Sequence, residues 1–352
     1  MEKLQKILEQ ITLTDKQVEA EAQKHLDNLT KPPGSLGVLE TIARRIAGMT
    51  GKVKPELPKK TAILMAGDHG VVAEGVSAYP QEVTPQMVLN FLSGGAAMNV
   101  LARHAGAELI IVDVGVAADL PEHPLLRRRK VAYGTANMAQ GPAMTREQAI
   151  AALEVGIDIA EECIGNGTGL LGTGEMGIGN TTPSAAITAF YGQLPAAAVC
   201  GRGTGANDAR LQQKIKVVEQ AIAVNKPQAD DALDVLAKLG GLEIAGMAGV
   251  MLAAAAHKVP VMIDGFISGA AALIAAHLQP LAKEYMLASH LSEEPGHAIL
   301  LEMLGLTPFL RMNMRLGEGT GAALGMNMVD AALKIVHEMA TFASAGVSGA
   351  LE

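Results

Sequence analysis

Five short runs of β-branched and other apolar residues, at 61–66, 109–114, 169–174, 197–200 and 259–263, each close on a glycine or an acid. Most of them lead into stretches of helical periodicity, which is clearest at 35–49, 86–104, 146–164, 208–224, 242–256, 269–277 and 321–342. Strands that alternate with long helical segments pair in parallel, because each helix carries the chain back across the sheet. The pattern therefore predicts an α/β fold, a mostly parallel sheet flanked by helices. Aromatics make up 3% of the chain and Trp is absent, so a core of Ala, Leu, Ile, Val and Met has to form by close approach of helix and sheet.

Residues 1–60 contain no convincing strand. They include the turn Lys31-Pro32-Pro33-Gly34-Ser35, with Ser35 placed to cap the following helix. The expected division is a small helical subdomain at 1–60, shared with part of the C-terminal helix, an α/β domain at 61–320 and a C-terminal helix at 321–352.

The net charge of −8 over 352 residues argues against nucleic acid or an anionic membrane as partner, since both call for a basic stripe. The N-terminus reads as an amphipathic helix rather than a signal sequence, and the apolar stretch 244–256 is too short to span a bilayer. Cys163 and Cys200 are isolated in apolar surroundings, which fits a reducing cytoplasm.

In open α/β sheets ligands sit beyond the carboxyl ends of the strands. This chain concentrates Gly with Asp, Glu, His and Asn there, in the loops 67–70, 174–180, 201–208, 264–265 and 317–321. Gly172-Thr173-Gly174-Glu175-Met176-Gly177 has the form of a dinucleotide fingerprint, but an acid inside it would repel a pyrophosphate and no helix follows at once. The segment Gly177-Ile178-Gly179-Asn180-Thr181-Thr182-Pro183 suits a single phosphate better, with flexible glycines leading into a helix N-terminus. An ordinary capped helix would look the same. Arg210 and Lys214 share a helical face, and either could complete a phosphate site or simply face solvent. Asp68-His69 reads as a pair that orients loops, since a third metal ligand at useful spacing is missing; His290 and His297 flank a turn in which Ser292 would cap a helix.

The best candidates for chemistry are Glu175 and Glu318, each set among glycines. A carboxylate in a dry, glycine-lined loop can have its pKa raised, and a substrate can approach it closely, as a general base requires. The same carboxylate could instead accept backbone N–H bonds and pin its loop.

The segments 31–37, 68–71, 174–183, 246–251, 264–266, 289–292 and 315–323, in this order, resemble the nicotinate-nucleotide:dimethylbenzimidazole phosphoribosyltransferases of cobalamin biosynthesis. The resemblance implies a Rossmann-like α/β domain with a smaller helical one, in a homodimer. It implies transfer of 5-phosphoribosyl from nicotinate mononucleotide to a benzimidazole-type base, giving α-ribazole phosphate. Glu318 would take the proton from the azole, and Glu175 would lie near the ribose. The backbone of Gly177, Ile178, Gly179 and Asn180, with Lys214, would hold the phosphate, and Pro32, Tyr79, Met87, Met176 and Leu316 would line the base. No metal or other cofactor is implied, because the pyridinium donor departs as a neutral ring. Members of the family carry Ser before the Pro and Gln further on; this chain has Tyr79 before Pro80 and Met87 at the Gln position, beside Gln86. Two other readings of the same loops are a non-catalytic mononucleotide sensor and a dinucleotide-dependent oxidoreductase.

Overall fold

In a computed structural model, which describes residues 1–203, 205 and 207–348, the sheet has six strands: β1 (Lys60–Gly67), β2 (Ala107–Gly115), β3 (Leu126–Arg128), β4 (Leu170–Met176), β5 (Val261–Ile263) and β6 (Met286–Ala288). Their order is β3-β2-β1-β4-β5-β6 and every pairing is parallel. This is the Rossmann-like order, with the direction of winding reversing between β1 and β4. The central strands are buried on both faces, which explains their nearly unbroken apolar sequence.

The run 197–200, expected as a strand, is instead the short helix Ala196–Val199 after Pro195. Both edges of β4 are already paired, with β1 and β5, so the run cannot extend the sheet beside the strand that precedes it. The strands β3 and β6 are three residues each and carry too little periodicity to be read from sequence. The single helix expected at 86–104 is two, Val83–Leu92 and Ala97–His104, interrupted around Gly94, which adopts φ +76°. Ser35 does not cap its helix. Val38–Thr50 starts after Gly37, and the Glu40 carboxylate accepts the Leu36 amide at 2.9 Å.

Glycine lets helices meet at backbone distance. A methyl on Gly249 would press on the backbone of Leu153 and lie 3.1 Å from the amide nitrogen of Ile157, where helices Arg146–Gly165 and Leu242–Ala256 cross. The latter helix is buried all round, as an apolar helix at the centre of a domain must be. Among the described residues no helix is long and apolar enough to cross a membrane. Burial pushes the thiols of Cys163 and Cys200 up to about 11 and about 12.

Residues 1–59 form the helices Glu2–Gln10, Lys16–Asp27 and Val38–Thr50, with no strand among them. Chain segments 28–30 and 340–342 are tied by the Leu29–Thr341 bridge and by the amides of Thr30 and Phe342, which donate to Ala340 and Asn28 carbonyls. The first helix lies elsewhere, with the Met1 ammonium paired to Glu154 and the Leu8 carbonyl accepting from Gln279. The C-terminal helix expected from 321 runs over Thr320–Glu338, followed by Phe342–Ala345; its last expected residues, 349–352, lie outside the described residues, as do Thr204 and Ala206 of the loop 201–208.

Candidate active site

The carboxyl end of β4 sets the site. Gly172 and Gly174 lie within the strand, so the apparent dinucleotide fingerprint never forms a loop. Their missing side chains serve packing instead: a methyl on Gly174 would press on the Glu318 carbonyl and lie 3.1 Å from Gly319 Cα. The turn proper is Gly177 to Asn180, with Gly179 at φ +92°, and it feeds directly into helix Thr181–Gly192. Within it the Ile178 amide donates to Thr84 Oγ1 at 3.1 Å and the Asn180 amide to the Gly177 carbonyl at 3.1 Å. The amides of Gly179 and Thr181 have no acceptor among the described residues, which leaves them for an anion at this positive helix end. Lys214 reaches the same point from helix Asp208–Asn225, with Nζ 2.9 Å from Thr181 Oγ1 and 3.1 Å from the Gly201 carbonyl. Burial lowers its pKa, against the raising effect of Glu294. Arg210, on the same helix, is exposed and outside the cavity.

The second loop crosses the end of β4 from the other side. Gly317, Glu318 and Gly319 have φ of +83°, +64° and +93°, three consecutive left-handed residues, the middle one not a glycine. Such a backbone costs free energy unless its surroundings hold it. Asp264, just beyond β5, supplies the restraint: Oδ2 accepts the Gly319 amide at 3.1 Å, and Oδ1 accepts those of Gly321 and Ala322 at 2.7 and 3.1 Å. One carboxylate thus caps helix Thr320–Glu338 and fixes the loop before it.

The two glutamates divide the roles that the sequence left open. Glu175 is pinned: Asn180 Nδ2 donates to one oxygen and the Glu318 amide to the other, the latter at 3.3 Å. Burial, partly opposed by Asn180 and reinforced by the charges of Glu243 and Asp264, pushes its pKa to about 8. Glu318 accepts the Met98 amide on Oε2 at 3.3 Å, at the start of helix Ala97–His104, and its Oε1 has no partner among the described residues. Desolvation holds Glu318 above the usual carboxylate range despite that amide.

Both loops border one cavity of about 610 Å³. Eleven of the twelve predicted site residues line it: Glu175, Met176, Gly177, Ile178, Gly179, Asn180, Lys214, Tyr79, Met87, Leu316 and Glu318. The twelfth, Pro32, is exposed on the surface and outside the lining. Met87 rather than Gln86 faces the cavity, and with Val76, Tyr79, Val83 and Leu316 it makes an apolar wall. Several lining or supporting side chains were missed, Asp264 among them. Arg315 donates to the Gly203 carbonyl at 3.0 Å, Glu294 accepts the Gly203 amide at 2.7 Å, and Thr84 holds Ile178. Glu294 before Pro295 looks like a helix start in sequence, and nothing local shows that it faces Lys214.

His69 and Glu243 form a fully buried pair, Nε2 to Oε1 at 2.7 Å, and Asp68 accepts the Ala117 amide at 2.8 Å, so the 67–70 loop is held by its polar residues. Ser292 does not occupy the N-cap of helix Pro295–Leu304; Glu294 does, and the Ser292 amide donates to His297 Nδ1 at 2.9 Å. Among the described residues no group of three His, Cys, Asp or Glu could hold a metal ion.

A family model described as phosphoribosyltransferase matches residues 11–347. The chain is 60% identical over 334 residues to the nicotinate-nucleotide–dimethylbenzimidazole phosphoribosyltransferase of Chloroflexus aggregans, covering 95% of each chain. It is 55% identical over 345 residues to that of Geobacter sulfurreducens, covering 98% of each. The crystal structure of CobT from Thermus thermophilus superposes with a TM-score of 0.92 at 50% identity, over 95% of this chain and 100% of that one. With the model match spanning nearly all of its length, the chain belongs to the nicotinate-nucleotide:dimethylbenzimidazole phosphoribosyltransferase family.

Proposed function

We propose that this chain transfers 5-phosphoribosyl from nicotinate mononucleotide to 5,6-dimethylbenzimidazole or a related base, giving α-ribazole 5′-phosphate and nicotinate for the lower ligand of cobalamin. The observation that carries this reading is the pairing, in one cavity, of a carboxylate with an unbonded oxygen and an anion site at a helix N-terminus. The phosphate docks on the amides of Gly179 and Thr181 with Lys214 beside it. The azole lies along Val76, Tyr79, Val83, Met87, Met176 and Leu316. As one ring nitrogen forms a bond to the anomeric carbon, the bond from that carbon to the nicotinate nitrogen breaks and its electron pair neutralises the pyridinium. The proton on the other ring nitrogen passes to Glu318 Oε1. Glu175, held largely protonated below about pH 8, adds no second negative charge beside the base and fixes the Glu318 backbone next to the ribose.

The enzyme acts as a homodimer in this reading. The exposed 32–37 loop stands on a buried Lys31–Glu40 ion pair of 2.8 Å and lies outside the cavity of its own chain, which leaves Pro32 free to meet the base of a second copy. Two buried, unpaired thiols support a cytoplasmic setting. Incubation with nicotinate mononucleotide and dimethylbenzimidazole in the presence of a chelator should release nicotinate and form the ribazole phosphate. Nucleotide binding by calorimetry without any product would overturn the enzymatic reading in favour of a sensor.

A further inference from the structure

The buried His69–Glu243 pair has no part in phosphoribosyl transfer as derived. His69 and Glu243 are both fully inaccessible, yet a buried ion pair contributes little net stability, because desolvation offsets its attraction. Their position suggests more than packing. The His69 ring lies directly under the phosphate-type turn: a methyl on Gly177 would sit 3.3 Å from its Nε2 and 3.4 Å from its Cδ2, and one on Gly179 would sit 3.9 Å from its Cβ. On the other side a methyl on Gly241, the residue that starts helix Leu242–Ala256, would lie 3.2 Å from Nδ1. Glu243, in the first turn of that helix, fixes the ring through Nε2 and places Oε2 against Gly67, where a methyl would stand 3.3 Å away. The pair therefore joins β1, the central helix and the turn after β4 at the point where the winding of the sheet reverses. The charged groups around it are Asp68 on the same loop and Glu175 across the strand, both of which feel the Glu243 charge.

We propose that His69 and Glu243 are positioning residues for phosphoribosyl transfer, with the imidazole, oriented by the carboxylate, setting the height of the Gly177–Asn180 turn that receives the donor phosphate. The inference rests on the proposed function, so wild-type turnover is measured first. If the wild type forms no ribazole phosphate, the functional reading fails and this proposal falls with it.

With an active wild type, His69→Gln and Glu243→Gln are melted to establish folding and then assayed against each substrate in turn. His69→Gln should raise KM for nicotinate mononucleotide on the order of tenfold while KM for dimethylbenzimidazole stays unchanged, because only the phosphate turn is displaced. Glu243→Gln keeps an acceptor facing Nε2 but loses the charge that orients the ring, so it should raise the same KM by a smaller factor and leave that for dimethylbenzimidazole unchanged. A folded His69→Gln with wild-type KM for the nucleotide, or with equal losses for both substrates, would reject the proposal in favour of a core pair. Should His69→Gln fail to fold, the wild type still decides. Its His69 imidazole NMR signals should shift when nicotinate mononucleotide binds and stay fixed with dimethylbenzimidazole alone, and immobility under saturating nucleotide overturns the idea.

Discussion

Glu318 is a charged residue held at φ +64° between two left-handed glycines, an arrangement that stability alone would select against. What it gains is an oxygen turned to the cavity and a pKa above the usual carboxylate range, so that it is a better proton acceptor than an exposed glutamate. Glu318→Gln should lower kcat by about 10²- to 10⁴-fold with smaller effects on both KM values; steady-state kinetics decide, and an unchanged kcat removes Glu318 as the base. Because only the ionised carboxylate accepts a proton, the wild-type rate should fall as pH drops through the Glu318 pKa. Lys214→Met, at the other end of the cavity, should act mainly on the KM for nicotinate mononucleotide, and a selective rise in KM for the azole would contradict the phosphate assignment.

At the level of elements, the site is a crossing of two loops over the end of one strand, and it depends on what β4 lacks. Gly174→Ala would place a methyl against the Glu318 carbonyl, where backbone must move to make room. A loss of about 1–3 kcal/mol is expected in denaturant unfolding, together with a fall in kcat, because the displaced loop carries the proposed base. Stability loss with full activity would mean that the loop adapts. Asp264→Asn replaces a carboxylate that accepts three amides, and its effect should appear in the same two measurements, since one end of helix Thr320–Glu338 and the Glu318 loop share that anchor. These dependencies were only partly legible in the sequence. The run 169–174 was legible as a strand, but the sequence placed Glu175 and Met176 in the loop after it, and only the sheet register shows β4 continuing through both. The helix at 196–199 was misread because periodicity in a four-residue apolar run does not separate strand from helix.

For the whole molecule, buried titratable groups should make stability depend on pH, with the raised carboxylates opposed below pH 6.5 by His297, which burial pushes down to about 3. Glu175 binds a proton in the folded state up to about pH 8 but in the unfolded chain only to about 4.5, so between these values folding retains a proton and stability falls as pH rises. His69 acts in the same sense. Burial lowers its pKa, the Glu243 charge raises it, and the net result is above 6.5, so its contribution is complete below 6.5 and lost as pH climbs through the folded value. Carboxylates held low, such as Glu40 and Asp231, act below that window, where their unfolded forms would be protonated. Thermal melts between pH 6.5 and about 8, above the range in which His297 opposes, should show Tm falling with pH, with a shallower fall in Glu175→Gln. A slope that Glu175→Gln leaves unchanged would place the titrating group elsewhere.

The sequence by itself determined the parallel α/β architecture, because alternating apolar runs and helical periods leave few other ways to bury both. It also marked the glutamates and the glycine turn, since glycine is required wherever a backbone turns left-handed or another backbone comes close. The motif resemblance singled out Lys214 over Arg210, but only the tertiary structure decided which glutamate keeps an unbonded oxygen, and that Asp264, Glu294, Arg315 and Thr84 support the site. Those outcomes depend on contacts between residues far apart in the chain, Glu175 with Glu318 and Lys214 with Thr181 among them, and on burial that no local pattern encodes. The exposed place of Pro32 is of the same kind, fixed by how the 32–37 loop rests on Lys31 and Glu40 rather than by its own residues.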